Sequence, residues 1–513
     1  MCAMAKSRLA LANISVSFGA KPLLTDISIS LECGQITALI GRSGSGKTLC
    51  ALALQGLLPP NLTISGEVLL DDSPYKPSLR KKRAKSPAII SILQNPRTYF
   101  NPLYTIKSHI AESLRAWGKP YDLEQISSLL HRLGLDSSVL HRYAFEMSGG
   151  ELQRAMILIA LLADAQFLIA DEPTSDLDAI ATKELLEILR RAAKELGKGV
   201  LLITHDHRLM RIADVSYHID SGKIAARDLG SFHTNFAYIS IYDRQKSLES
   251  TPLITLHNIT KSYQAAHQSI CALDSISLTI CAGERLGIVG RSGSGKSTLA
   301  KLIARLELES SGQITYPTHW HSNRRSLQAR RHFYRHIQLL FQDPISALNP
   351  NQTLLDTLTQ GLIALYGVVD KAKQRSRIMP ILHALGLESL PLDSYPAMLS
   401  GGQAARINLA SVLVLEPELL ILDESTSCLD ASTEAMILEH IATMQAHRDS
   451  RPSAKQNLSV LCITHNLSLA RAFCDRIVLL DSGEIVEIVA ANEPFKSTQG
   501  RLLESTFACT NQV

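Results

Sequence analysis

Two stretches of the chain carry glycines, a lysine and a hydroxyl at a spacing suited to gripping phosphate groups. They are Gly41-Arg42-Ser43-Gly44-Ser45-Gly46-Lys47-Thr48 and Gly290-Arg291-Ser292-Gly293-Ser294-Gly295-Lys296-Ser297. Both match G-x-x-x-x-G-K-[ST], the P-loop pattern. The glycines let backbone N–H groups turn inward around phosphate oxygens, and a helix starting at the lysine adds its positive N-terminal end. Lys47 and Lys296 can reach the β- and γ-phosphates of a nucleoside triphosphate, while Thr48 and Ser297 offer hydroxyls to a magnesium ion. Asp171 and Asp423 each close an apolar run and can support the same ion. The next residues, Glu172 and Glu424, are placed to polarise an attacking water as general bases. Glycine turns followed by solvated acids are the plain alternative. Recurrence of the whole set, in one order, weighs against it.

The elements that must position these groups are written twice. Gly41 to Lys47 returns letter for letter 249 positions later. Ser148-Gly149-Gly150 and Asp171-Glu172 each return after 252 positions, as Ser400-Gly401-Gly402 and Asp423-Glu424. Ile203-Thr204-His205 returns after 260, as Ile463-Thr464-His465. A nearly constant offset across four motifs means a tandem duplication. It predicts a first domain over 1–228, a linker over 229–251 and a second domain over 252–513. The apolar runs Ile36–Ile40, Phe167–Ala170, Val200–Ile203, Leu286–Val289, Leu419–Leu422 and Val460–Ile463 read as short buried strands. With helical stretches such as Thr182–Leu196 between them, they predict an α/β fold with a parallel sheet covered on both faces.

Composition bounds the partners. The 513 residues, 45% hydrophobic and 19% charged, suit globular domains that each bury a core. A formal charge of +4 is too mild to argue for nucleic acid. Nine scattered cysteines without a C-x-x-C pair read as a reduced chain with no zinc or iron–sulfur site. Met1–Leu11 shows no signal peptide, and the most apolar stretch, Ala155–Ala170, is interrupted by Asp164 and Gln166. Any membrane crossing is therefore expected of other chains.

Met147-Ser-Gly-Gly-Glu151 and Leu399-Ser-Gly-Gly-Gln403, upstream of the Asp-Glu pairs, resemble the signature of the ABC transporter ATPases. The resemblance covers nearly the whole chain. It implies two P-loop NTPase domains, each with a helical signature subdomain, that pair head to tail as a pseudo-dimer. One composite ATP site would then hold Gly41 to Thr48, Gln94, Asp171, Glu172 and His205, closed by Ser400, Gly401, Gly402 and Gln403. The other would hold Gly290 to Ser297, Gln342, Asp423, Glu424 and His465, closed by Ser148, Gly149, Gly150 and Glu151. His205 and His465 resemble the family's switch histidines, and Gln94 and Gln342 its γ-phosphate-sensing glutamines. Phe18 and Tyr263 match the aromatic that stacks on adenine. Departures are Glu151 where glutamine is usual, Ser425 in place of a proline, and the apolar Ala404-Ala405; none removes a catalytic group, and two competent sites are expected.

The loops Gln94-Asn-Pro-Arg-Thr-Tyr-Phe-Asn-Pro102 and Phe341-Gln-Asp-Pro-Ile-Ser-Ala-Leu-Asn-Pro350 are similar to those of nickel and peptide importer ATPases. Finer likeness, including Phe145-Glu-Met-Ser-Gly-Gly150 and Phe473-Cys-Asp-Arg-Ile477, resembles the two ATPases of the bacterial nickel importer fused end to end. The resemblance implies a translocase at the cytoplasmic face of the inner membrane, driving two permease subunits fed by an extracytoplasmic binding protein. Nickel or a nickel chelate is the expected cargo and short peptides the alternative. A soluble twin ATPase acting on the ribosome is a remote alternative, since Leu229–Thr251 lacks the long charged linker of those proteins. The basic runs Arg80–Lys85, Arg324-Arg325 and Arg330-Arg331 read as solvated faces rather than a nucleic-acid surface, with a modest pull towards the inner leaflet as the alternative. His319-Trp-His321, with no third ligand nearby in sequence, reads as a plain exposed loop.

Overall fold

The structure is a computed structural model describing residues 7–41, 44–75, 87–93, 96–174, 179–204, 207–228, 251–265, 268–291, 293–320, 326–340, 347–424, 431–449 and 458–508. The chain divides into two compact units, Met1–Asn235 and Phe236–Val513.

In the first unit, strands β1 (Arg8–Phe18), β2 (Lys21–Glu32), β4 (Thr63–Leu70) and β5 (Ser73–Pro74) form an antiparallel sheet in the order β2-β1-β4-β5. The inward residues Leu9, Leu11, Ile14 and Val16 of β1 are buried, and the polar Asn13 and Ser15 that flank Ile14 are less so. A second sheet runs β10-β9-β3-β8-β7-β6, built from β3 (Ile36–Ile40), β6 (Ile89–Ile92), β7 (Phe167–Asp171), β8 (Gly199–Thr204), β9 (Val215–Asp220) and β10 (Lys223–Asp228). All its pairings are parallel except β9 with β10. The continuous apolar runs of β3 and β8 are buried at every residue, which is why they lack alternation.

Between β6 and β7 the chain forms a helical subdomain: helices Ile106–Ala116, Leu123–Arg132 and Gly149–Leu162. Asp122 caps the second by accepting from the Glu124 and Gln125 N–H groups. Ile106, Ile110, Leu114, Ile126 and Leu130 recur at helical spacing and pack on Leu152 and Met156, in a core that continues to Leu168 and Val200 of the sheet. The apolar stretch Ala155–Ala170 is thus divided between a buried helix and β7. Among the described residues no helix is long and apolar enough to cross a membrane.

The second unit repeats the plan. Strands β11 (Pro252–Ala265), β12 (Gln268–Cys281) and β14 (Ser311–Thr315) make the antiparallel sheet β12-β11-β14. Strands β13 (Arg285–Val289), β15 (Ile337–Leu340), β16 (Leu419–Asp423), β17 (Ser459–Ile463), β18 (Arg476–Asp481) and β19 (Glu484–Ala490) make the sheet β15-β16-β17-β13-β18-β19. Helices Leu354–Tyr366, Lys371–Ala384 and Gly401–Leu413 stand between β15 and β16 as the counterpart subdomain.

Candidate functional site

In each unit the chemistry gathers at the carboxyl ends of the parallel strands. β3 ends at Ile40, the loop turns, and the helix Lys47–Gln55 begins. Two glycines are required by shape. A Cβ on Gly41 would collide with the Ile219 carbonyl, and Gly46 holds φ +106° at the helix start, where L side chains are strained. The second unit repeats both features: a Cβ on Gly290 would strike the Leu480 carbonyl, and Gly295 has φ +99°.

The loop side chains converge. The Lys47 ammonium donates to the Gly41 carbonyl at 2.8 Å and lies 3.8 Å from Glu172 Oε1. Lys296 donates to the Gly290 and Arg291 carbonyls at 2.9 and 2.7 Å. Ser297 Oγ donates to Asp423 Oδ1 at 3.0 Å, and Thr48 is the corresponding hydroxyl beside Asp171. Burial raises the Asp171 carboxyl above its usual range, Thr48 draws it down, neighbouring Glu172 adds to the rise and Lys47 opposes it. Asp423 is raised by the same burial, against its bond from Ser297.

Several groups are left wanting partners. The hydroxyls of Ser45 and Ser294 and Oδ1 of Asp171 are buried with no hydrogen bond. A buried carboxylate oxygen without a donor, beside a hydroxyl, is suited to an oxygen-loving cation, and inward loop hydroxyls suit anionic oxygens. The residues present therefore fit magnesium with a nucleoside triphosphate.

Glu172 and Glu424, one residue past each strand end, hold the left-handed conformation at φ +45° and +47°. Their N–H groups donate to the Ile203 and Ile463 carbonyls at 2.9 and 3.0 Å, which ties each residue to the adjacent strand. Two glutamates at positive φ in corresponding places store strain of the kind that clusters at functional sites. His465 Nδ1 stands 3.9 Å from Glu424 Oε1. Arg42, Ser43, Gln94, His205, Ser292 and Gln342 lie outside the described residues.

The signature serines start helices. Ser148 caps Gly149–Leu162 and Ser400 caps Gly401–Leu413, each accepting from the N–H three residues on, Glu151 or Gln403, at 3.3 Å. The third residue returns the bond: Glu151 Oε2 accepts from Ser148 N at 2.8 Å, and Gln403 Oε1 from Ser400 N at 3.0 Å. Gly149, Gly150, Gly401 and Gly402 form the first turns of these helices. Glu151 also pairs with Arg142 at 2.9 Å, a partner that sequence reading missed because it carries no motif. Phe18 is exposed at the end of β1. The partly exposed Tyr263 donates its hydroxyl to Glu307 and carries the Lys261 ammonium 4.9 Å from its ring centre.

Comparison with known proteins follows this duplication. A family model described as ABC transporter matches residues 24–175 and 273–427. An uncharacterized ABC transporter ATP-binding protein, YejF of Escherichia coli (strain K12), is 34% identical over 94% of this chain and 96% of its own. The peptidoglycan transport ATP-binding protein YejF of Agrobacterium fabrum (strain C58 / ATCC 33970) is 31% identical over 96% and 94%. The glutathione import ATP-binding protein GsiA of Escherichia coli (strain K12) is 28% identical over 96% and 87%. Among solved structures, the ATP-binding cassette MJ0796 in a dimeric post-hydrolysis state with ADP and Pi is 28% identical, with a TM-score of 0.42 over 47% of this chain and all of that one.

Proposed function

The chain belongs to the ABC transporter family, and on that premise we propose that it is the ATP-hydrolysing subunit of an importer, with one ATP bound on the P-loop of each half. The observation that carries the reading is the repeated assembly at the strand ends: Lys47 with Thr48, Asp171 and Glu172, and Lys296 with Ser297, Asp423 and Glu424.

The loop N–H groups, the lysine and the serine hydroxyl bind and orient the phosphates. Thr48 with Asp171, and Ser297 with Asp423, would hold magnesium, which neutralises charge on the phosphate oxygens when bound. Glu172 or Glu424 accepts a proton from water as its oxygen bonds to the γ-phosphorus. The bond from that phosphorus to the bridging oxygen breaks, and ADP leaves with the oxygen. From the family resemblance, Phe18 and Tyr263 stack on adenine, Gln94, Gln342, His205 and His465 sense the γ-phosphate, and the signature serines of one half complete the site of the other. The same resemblance supplies two permease subunits and an extracytoplasmic binding protein as partners, at the inner face of the bacterial inner membrane.

For cargo, the peptidoglycan and glutathione named for two relatives favour a peptide over nickel, and we take peptides as the substrate class. Glu172→Gln and Glu424→Gln should keep ATP binding while lowering hydrolysis roughly 10²-fold or more. In the source cells the double variant should lose uptake of labelled short peptides and of glutathione. Undiminished hydrolysis in both single variants would refute the general-base assignment. Retained peptide uptake with lost radiolabelled nickel uptake would overturn the cargo assignment and leave the ATPase standing.

A further inference from the structure

The second unit holds a cluster that ATP hydrolysis does not use. His319 and Trp320 lie in the short 3-10 turn Thr318–Trp320, His336 ends the helix Leu327–His336, and Glu418 precedes β16. Against the expectation of a plain exposed loop, Trp320 is fully buried. His321 lies outside the described residues, and His319 meets two further ligands, His336 and Glu418, that are distant in the chain. His336 Nδ1 lies 2.6 Å from Glu418 Oε1, and His319 Nε2 lies 3.1 Å from Glu418 Oε2. One donor atom from each of the three residues falls within 4.8 Å of the others. We propose that His319, His336 and Glu418 form a binding site for a divalent transition metal of the zinc, cobalt or nickel type.

Geometry and chemistry both favour that class. Metal–nitrogen and metal–oxygen bonds of about 2.0–2.2 Å at tetrahedral angles put neighbouring donor atoms about 3.3 Å apart. With Glu418 Oε1 as the shared ligand, His319 Nε2 already stands 3.2 Å from it, and His336 Nδ1, at 2.6 Å, needs to open by less than about 1 Å. Two imidazoles and one carboxylate suit zinc, cobalt or nickel better than magnesium or calcium. A metal on Nδ1 takes the neutral tautomer of His336 that carries its proton on Nε2, and water completes the fourth position.

The carboxylate ligand is held by contacts of the kind it needs, while His336 Nε2 is buried without a hydrogen-bond partner. Trp320 Nε1 donates to Glu418 Oε2 at 2.9 Å, and the Trp320 ring stacks on His336 with centroids 5.6 Å apart and planes 8° from parallel. The Glu418 N–H donates to the His336 carbonyl at 2.8 Å, so both ligands are pinned where β15 and β16 begin their parallel pairing at Ile337 and Leu419. His319 is 43% exposed and offers an entry path, whereas His336 and Glu418 are 18% and 12% exposed.

Two facts separate the cluster from the nucleotide site. Glu418 stands five residues before Asp423 along an extended strand, about 16 Å away. In the first unit, where Ile89 pairs with Phe167, the residues before the paired strands are Ala88 and Gln166. Two of the three ligands therefore have no counterpart in the first half, and among the described residues the cluster occurs in the second half.

The test uses the untagged, chelator-treated full chain in excess magnesium, titrated with cobalt(II) by absorption and calorimetry, with tryptophan emission followed in parallel. One equivalent should bind with nitrogen/oxygen-type visible bands and quench emission, since Trp320 touches a ligand. His319→Ala, at an exposed position that leaves the fold intact, and Glu418→Gln should each weaken binding by about 10-fold or more. Zinc should raise the melting temperature of the parent and not of His319→Ala. Binding unchanged in both variants, thiolate-to-cobalt bands in place of nitrogen/oxygen ones, or no stoichiometric binding would each overturn the proposal.

Discussion

Glu151 and Gln403 occupy the same third position of a helix-starting capping box and meet the same demand with different groups. Gln403 Oε1 accepts from Ser400 N, while Glu151 adds a charge that Arg142 balances at 2.9 Å. The residue corresponding to Arg142 in the second half, 252 positions on, is Ser394, so a carboxylate there would lack this counter-ion. Burial raises the Glu151 carboxyl, but the bonds from Ser148 and then Arg142 outweigh it and leave it below its usual 4.5. A carboxyl lowered in the folded state contributes stability that is present above the unfolded value and lost as pH falls through the folded one. Glu151→Gln should therefore cost about 0.5–1 kcal/mol near neutral pH, discounted for partial exposure, and progressively less below about pH 4.5. Urea unfolding at pH 7, 5 and 4 measures this; a difference that widened on acidification would reject the ion-pair account.

At the scale of elements, the antiparallel and parallel sheets of the second unit are joined by an ion pair whose carboxylate is buried. Glu284, fully buried, accepts from Arg476 Nε at 2.6 Å and from the Cys281 N–H at 2.8 Å. Arg476 also donates to the Thr279 carbonyl of β12 at 2.8 Å, so one guanidinium links β18 to the second sheet. In the first unit Val215 pairs with Thr37 where Arg476 pairs with Leu286, so a valine stands at the guanidinium's position. Glu284→Ala removes the counter-charge from a half-buried arginine and the acceptor from Cys281, and should cost about 3 kcal/mol or more. The cost should appear in denaturant unfolding of the second unit and leave the transition of the first in place. Equal destabilisation of both would contradict this local account.

At the scale of the whole molecule, two units with separate cores and separate phosphate loops should report two binding events. ATP at about 100 times its Kd adds about 2.7 kcal/mol to a unit that holds it and nothing to one that does not. With magnesium and ATP, calorimetry on the parent should give two equivalents. Lys47→Ala and Lys296→Ala should each retain one, and the double variant none. A single lysine change abolishing both events would show that neither loop binds without the other.

The phosphate loops, the Asp-Glu pairs, the signature serines and the twofold repeat were legible in the residue order, because each depends on short spacings along the backbone. A glycine that must avoid a carbonyl, a lysine six residues after the loop's first glycine and a serine three residues before its capping partner are local constraints that a sequence displays directly. Buried strands such as Ile36–Ile40 were legible for a related reason, since burial on both faces leaves an unbroken apolar run. What joins residues far apart in the chain was decided by the tertiary fold. Arg142 reaching Glu151, Arg476 reaching Glu284 across 192 residues, and His319 and His336 meeting Glu418 have no periodicity or motif to announce them. The pairing of β15 with β16 sets His336 beside Glu418, and only closing that sheet turns an isolated histidine in a turn into part of a three-ligand cluster.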